Sequence, residues 1–478
     1  MALRCLTLLA GLILGAPIAS AGGYDFAAVQ SLITAGHIRS IEDLLLALPG
    51  TLRYHYALVF ASRSLQEASF ELPRVILYGS DARLVITFTG DPGQRGFNVL
   101  ETMEFDDGTG QFRLREIEFP VDPSDTAAVR VSEPNPSRCQ RCHGMPARPV
   151  WETPPLWPGA YGERYHRSLS AEEQTGLRRF LARQSTDPRY RSLLGAERFA
   201  DPQTFRPSTQ SSYSGTPSEP PNAALSAFLE PLVSRSIAAE LTQNPRFEAY
   251  QYLLLGVSDG GCGGLNEFYP TSHWRAVRTA YSNYANATER ESEREAAAKQ
   301  LRLTPGNRQH SAAARPHPAG ALNMIRFVAE TELNMSTRTW TLSLEKGDYG
   351  YTPAPSALGS LRGALLTEVA RRDARVKPLS EYATSADGNR YCRYLQRSSQ
   401  AALEHELPRA GLVSAVATPA PTVLPNPGGL RPEQLAPVTF GPHDLTPPGT
   451  VNICAGCHQS CHTTIGILRP CRQGQCWR

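Results

Sequence analysis

The ten cysteines of this 478-residue chain are unevenly placed, and their placement restricts the folds open to it. Five lie in the last 25 residues, Cys139 and Cys142 are three positions apart, Cys262 and Cys392 stand alone, and Cys5 is close to the start. A disulfide framework would distribute its cysteines between secondary-structure elements. These clusters instead predict sites that bind a ligand or attach a group.

Two clusters share the pattern Cys-x-x-Cys-His, at Cys139–His143 and at Cys454–His458. Two thiols separated by one helical turn match the two vinyl groups on one edge of a porphyrin, and the adjacent histidine then lies beneath the ring. Such a histidine gives its imidazole to the iron. The pattern predicts covalently bound haem c at both sites. The thioether residues would be Cys139, Cys142, Cys454 and Cys457, with His143 and His458 as axial iron ligands.

A Cys-x-x-Cys pattern also occurs in thioredoxin-like dithiols and in zinc sites. A thioredoxin-like dithiol needs a strand before it and a helix after it in a βαβ unit, and neither copy has that context. Zinc is a stronger alternative at the C-terminus, where a tetrahedral cysteine and histidine set could form. That alternative describes a single-haem protein with a C-terminal zinc site. Its candidate ligands are Cys454, Cys457, His458, Cys461, His462, Cys471 and Cys476.

The N-terminus has the pattern of a secretory signal peptide. Arg4 is followed by an apolar stretch over residues 6–18 and by Ala19-Ser20-Ala21, an A-x-A cleavage site. After cleavage the chain has no apolar run of 18 residues, so we expect no stable membrane span. A net charge of +3 without a lysine or arginine run argues against nucleic acid as a partner.

The two motifs and the signal together resemble bacterial exported c-type cytochromes with two haem groups. This resemblance covers two pentapeptides and the leader. It implies a periplasmic location, haem c and iron as cofactors, electron transfer, and a redox partner protein in the same compartment. A di-haem peroxidase or oxidase, with one haem face left open to substrate, is an alternative within the same class.

The second axial ligand of each iron is not fixed by the motifs. An electron-transfer haem takes a methionine or a histidine on its other face. Met324 and Met335 flank a predicted helix end, and His443 precedes the second motif in a proline-flanked loop. These three residues are the distal candidates.

The rest of the chain predicts an α+β fold, with a small antiparallel sheet in the N-terminal part followed by a mainly helical body. Strand-like runs between residues 51 and 119 indicate four or five strands, with hairpin turns at residues 79–82 and 106–110. Helical spacing recurs from 166 to 410, including a run at 245–257, and Ser170 with Glu173 forms a capping box that begins the first of these helices. Cys262 and Cys392 are expected to form a disulfide, with two buried free thiols as the alternative. The predicted segments are a signal peptide (1–21), an α+β domain (22–120), the first haem-attachment segment (121–165), the helical body (166–415), a proline-rich linker (416–450) and the second haem-attachment segment with a cysteine-rich tail (451–478).

Overall fold

The structure is a computed structural model of the whole chain, and part of it is described here. The described residues are 24–36, 38–60, 66, 68–94, 96–121, 128–149, 159–161, 169–200, 221–259, 262–287, 321–337, 340, 357–381 and 388–410. The predicted signal peptide, the linker, His443 and the motif Cys454–His458 all lie outside them.

The chain divides into two compact units. The first contains Met1–Pro149, Gly159–Phe205 and Pro220–Leu232, and the second contains Val150–Pro158, Arg206–Glu219 and Val233–Arg478. The first unit holds a sheet and the second is helical in its described parts. The α+β class expected from the sequence is confirmed.

Three short helices precede the sheet: α1 (Phe26–Thr34), α2 (Ile41–Ala47) and α3 (Gly50–Tyr54). Ser40 begins α2 with a capping box, in which its hydroxyl accepts from the backbone of Asp43 and the Asp43 side chain accepts in return. These helices place apolar side chains, such as those of Val29, Leu44 and Leu45, in the core.

The described residues of the first unit form a seven-stranded antiparallel sheet with the order β6-β5-β4-β3-β2-β1-β7. Five of its strands, β1 to β5, each pair with the next strand along the chain, and the two hairpins expected from turn residues are those between β2 and β3 and between β4 and β5. The other two, β6 and β7, are only two residues long each, which is too short for a periodic signal. The strands are β1 (Tyr56–Val59), β2 (Arg74–Leu77), β3 (Leu84–Phe88), β4 (Val99–Asp106), β5 (Gln111–Glu118), β6 (Arg130–Val131) and β7 (Ala160–Tyr161).

One face of this sheet forms the main hydrophobic core of the first unit. Alternate residues such as Leu77, Ile86 and Leu100 pack there against α1–α3 and against α5 (Ala171–Gln184). Helix α5 begins with the capping box of Ser170 and Glu173 that its sequence predicts. The opposite face is buried too, but it carries charged and polar side chains among aliphatic ones.

The described part of the second unit is built from helices around a buried central one, α7, which packs against α9, α10 and α12. A disulfide joins Cys262 to Cys392, with a Cα–Cα distance of 4.9 Å, as expected from the sequence. None of the described helices is long and apolar enough to cross a membrane. The helices after α5 are α6 (Pro221–Gln243, shared by both units), α7 (Phe247–Ser258), α8 (residues 274–287), α9 (Ala321–Thr331), α10 (Ala357–Arg372), α11 (Val376–Glu381) and α12 (Gly388–Ala410).

Candidate functional site

The first Cys-x-x-Cys-His motif occupies the short helix α4 (Ser137–His143), which lies in the first unit between β6 and β7. Pro136 precedes the helix, and its carbonyl accepts from the backbone N–H of Cys139 at 2.9 Å. The helix ends at Gly144, whose φ of 75° and ψ of −172° turn the chain sharply. Positions i, i+3 and i+4 share one face of a helix. The helical turn expected across the motif is therefore present, and it places Cys139, Cys142 and His143 on one face of α4.

His143 is held by the turn that follows the helix. Its Nδ1 is 2.6 Å from the carbonyl oxygen of Arg148, and the Arg148 backbone N–H donates to the His143 carbonyl at 3.0 Å. A carbonyl only accepts, so Nδ1 carries the proton and Nε2 keeps its lone pair. Burial lowers the pKa of His143, although the Arg148 carbonyl and the charge of Glu101 act in the opposite direction. The ring is therefore neutral at pH 7, as a metal-binding imidazole must be.

The two thiols of the motif are free and differ in exposure. Cys139 is half-buried and Cys142 is exposed, and neither is in a disulfide. The Sγ of Cys139 is 3.9 Å from Oε1 of Glu116. Burial and the nearby carboxylates raise the pKa of Cys139 to about 12. A redox-active dithiol needs a thiolate with a lowered pKa, so this environment counts against thioredoxin-like chemistry.

Hydrogen bonds at Asn135 hold α4 against strand β5. Asn135 has a φ of 55° and pairs with Leu114 twice, through its backbone N–H to the Leu114 carbonyl at 2.7 Å and through its Oδ1 to the Leu114 N–H at 2.8 Å. The side chain of Gln140 then donates to the Asn135 carbonyl at 2.6 Å. These bonds tie the motif helix to the sheet rather than leaving it on a free loop.

Charged side chains of the sheet lie beneath the motif helix, and sequence reasoning missed them. Glu116 on β5 is 7% exposed and pairs with Arg138 of α4. Its register partner on β4 is Glu101, whose Oε2 is 2.8 Å from Nη2 of Arg74. Burial lowers the pKa of Arg74, which Glu101 partly restores. The sequence signal that could have indicated these residues is the presence of charged side chains within strands that are otherwise apolar.

The distal candidates lie elsewhere or outside the described chain. Met324 is in α9, and Met335 follows that helix next to Asn334, which has a φ of 52°. Both methionines are half-buried and belong to the second unit, whereas His143 belongs to the first. His443 is among the residues that are not described, so the distal ligand remains a prediction.

Within the described ranges, no three His, Cys, Asp or Glu side chains are grouped so that they could hold a metal ion. The C-terminal residues of the zinc alternative lie beyond residue 410 and are not covered by that statement. The chain matches no protein-family model, no curated protein and no solved structure.

The donor set at α4 fits a covalently attached haem. Two unpaired thiols one helical turn apart are available for thioether bonds, and the neutral imidazole beside them has a free Nε2. The Nδ1–H bond to a backbone carbonyl is the outer-shell partner that metal-binding histidines usually have, because it fixes both tautomer and ring orientation.

Proposed function

We propose that this protein is an exported c-type cytochrome that works in a bacterial periplasm and transfers electrons to or from a redox partner protein. Cys139 and Cys142 attach one haem, and His143 is an axial ligand of its iron. The observation that carries the proposal is the bond between His143 Nδ1 and the Arg148 carbonyl beside two free thiols. The proposal includes a second haem at Cys454, Cys457 and His458.

The three motif residues of α4 each have a defined part in this proposal. Cys139 and Cys142 would hold a haem through thioether bonds, and His143 would offer Nε2 to its iron while the Arg148 carbonyl keeps the imidazole from rotating. Bound haem supplies a one-electron Fe(II)/Fe(III) couple. The polypeptide contributes a half-buried setting for the histidine, which limits access of water to that side of the iron.

The mass of the denatured protein tests this proposal. The full-length chain is produced with its leader in a bacterial host that matures c-type cytochromes, and the purified protein is unfolded and weighed. We expect a mass increase of one haem for each motif. The double variant C139A/C142A should lose one haem, C454A/C457A should lose the other, and the disulfide variant C262A/C392A should lose none. A wild-type protein without covalent haem would overturn the proposal.

The same variants separate the C-terminal alternatives. If C454A/C457A leaves the haem content unchanged and removes one equivalent of zinc, the second motif is a zinc site. An electronic spectrum of His143→Ala, which keeps both thioether cysteines, tests the ligand role: we expect low-spin features to be lost at that haem. An unchanged spectrum would exclude His143 as the ligand.

A further inference from the structure

A partly buried ion pair lies on the sheet face that carries the motif helix. Arg74 on β2 and Glu101 on β4 are joined by the 2.8 Å contact between Nη2 and Oε2, and their side chains are only 14% and 24% exposed. Arg74 also donates to Thr87 Oγ1 at 2.9 Å and to Gln66 Oε1 at 3.0 Å. The pair is therefore held by several directional bonds, and it is shielded from solvent.

The pairing of β4 with β5 places this ion pair close to the motif helix. Glu101 is directly opposite Glu116 in the β4–β5 register, and Glu116 pairs with Arg138 and lies 3.9 Å from the sulfur of Cys139. The charges of both Arg74 and Glu101 act on His143, with opposite signs. The arrangement places one positive and one negative charge near the residue that would bind iron.

We propose that the Arg74–Glu101 ion pair sets the redox potential of the iron bound by His143. This inference rests on the proposed function. Oxidation adds a positive charge at the iron, so a nearby carboxylate favours the oxidised state and a nearby guanidinium favours the reduced state. In a poorly solvated region these effects are screened less than they are at the surface. The paired charges offset one another, and loss of either one unbalances the site.

Removal of one charge at a time tests the inference. Glu101→Gln keeps an oxygen that accepts from Arg74 but removes the negative charge, and Arg74→Gln removes the positive charge. The midpoint potential of the haem at Cys139–His143 is measured by spectroelectrochemical titration, in a C454A/C457A background so that one haem is observed. We expect E101Q to raise the midpoint potential, R74Q to lower it, and the double variant to lie near the parent value.

Two substitutions on α5 serve as matched controls. Glu172 and Arg183 are charged residues on a helix that packs against the other face of the sheet, and Arg183 is 43% exposed. E172Q and R183Q change the net charge by the same amounts but should leave the midpoint potential unchanged. Raised ionic strength should also leave the shifts of E101Q and R74Q largely intact, because both side chains are mostly shielded from solvent.

The possible outcomes separate this inference from the proposed function. A parent protein that contains no haem would overturn the proposed function itself. With haem present, no shift in either variant overturns the inference. Shifts of the same sign in E101Q and R74Q, or a double variant that moves further than either, would indicate a structural disturbance and also overturn it.

Discussion

The imidazole of His143 and the carbonyl oxygen of Arg148, five positions later in the chain, are joined by a hydrogen bond of 2.6 Å. This bond decides the tautomer of the imidazole, because the carbonyl can accept only the proton on Nδ1. Gly144 makes the turn possible, since its φ of 75° combined with ψ of −172° is a conformation that is almost confined to glycine. The orientation of the histidine therefore depends on a residue that has no side chain.

Replacing Gly144 with alanine tests that dependence. The added Cβ strains the turn by roughly 1–3 kcal/mol, and the strain falls on the bond that orients His143. We expect G144A to bind less haem at the first motif, or to show a weakened low-spin spectrum there, together with a lower thermal midpoint.

Gly36 offers a matched control for that variant. It too has a positive φ, of 81°, and its missing Cβ would meet no atom within 4 Å. G36A should therefore lose about 1–2 kcal/mol of stability from backbone strain alone. Its haem content and spectrum should equal those of the wild type. If G36A and G144A both lost haem to the same extent, general destabilisation rather than histidine orientation would explain the effect.

Removal of the Cys262–Cys392 disulfide should destabilise the second unit. The bridge closes a loop with a sequence separation of 130 residues, and loss of a native disulfide commonly costs roughly 2–5 kcal/mol. We expect C262A/C392A to unfold at lower denaturant concentration than the wild type. A reductant should bring the wild type close to the variant, and it should have little effect on the variant itself. Equal stability of the wild type and the variant in the absence of reductant would contradict this account.

Local signals in the sequence predicted much of the fold. The capping box at Ser170 and Glu173 marked the start of α5, helical spacing indicated α7, and turn residues indicated the hairpins β2–β3 and β4–β5. The motif itself indicated a helical turn at α4, and that turn is present. Each of these signals lies within a few residues of the structure it specifies.

The charged support beneath the motif could not be predicted in the same way. Arg74, Glu101 and Glu116 lie on three different strands, and only the register of the hairpins places them together. A shift of one residue in that register would move each side chain to the opposite face. In the sequence alone, charged residues that alternate with apolar ones indicate a sheet face exposed to solvent. In the structure that face of the sheet is largely buried.

Alanine at Gly176 should destabilise the first unit. Gly176 lies in α5, and a Cβ built there would meet the Cβ of Phe70 and would lie 2.8 Å from the backbone carbon of the same residue. Backbone cannot rotate away as a side chain can, so we expect G176A to cost about 1–3 kcal/mol in the free energy of unfolding.

The same substitution at Gly363 should have the opposite effect. Gly363 is exposed in α10, and a Cβ there would meet nothing within 4 Å. Alanine restricts the unfolded chain and favours the helix, so G363A should gain roughly 0.5–1 kcal/mol. Denaturant titration of both variants measures whether the free energy of unfolding falls in G176A and rises in G363A. A stabilised G176A would show that α5 does not lie against Phe70.

Asp373 should make the second unit less stable at acid pH. Burial alone would raise the pKa of Asp373, but hydrogen bonds from Arg375, Tyr394 and Tyr252 outweigh it and lower the pKa from 3.8 to about 2. The Tyr252 hydroxyl donates to Oδ2 at 3.0 Å and the Arg375 Nε donates to Oδ1 at 2.8 Å. Between pH 4 and pH 2 the unfolded chain therefore binds more protons at this residue than the folded chain does.

Asp373 should therefore contribute stability that is complete above about pH 4 and is lost as the pH falls towards 2. Screening by solvent keeps the contribution at about 1 kcal/mol or below. Asp373→Asn removes the ionisation and keeps an acceptor oxygen, so the difference in unfolding free energy between wild type and D373N should shrink over that pH range. Urea titrations at pH 5, 4, 3 and 2 measure it. A difference that stays constant would show that the carboxylate is not stabilised by these three donors.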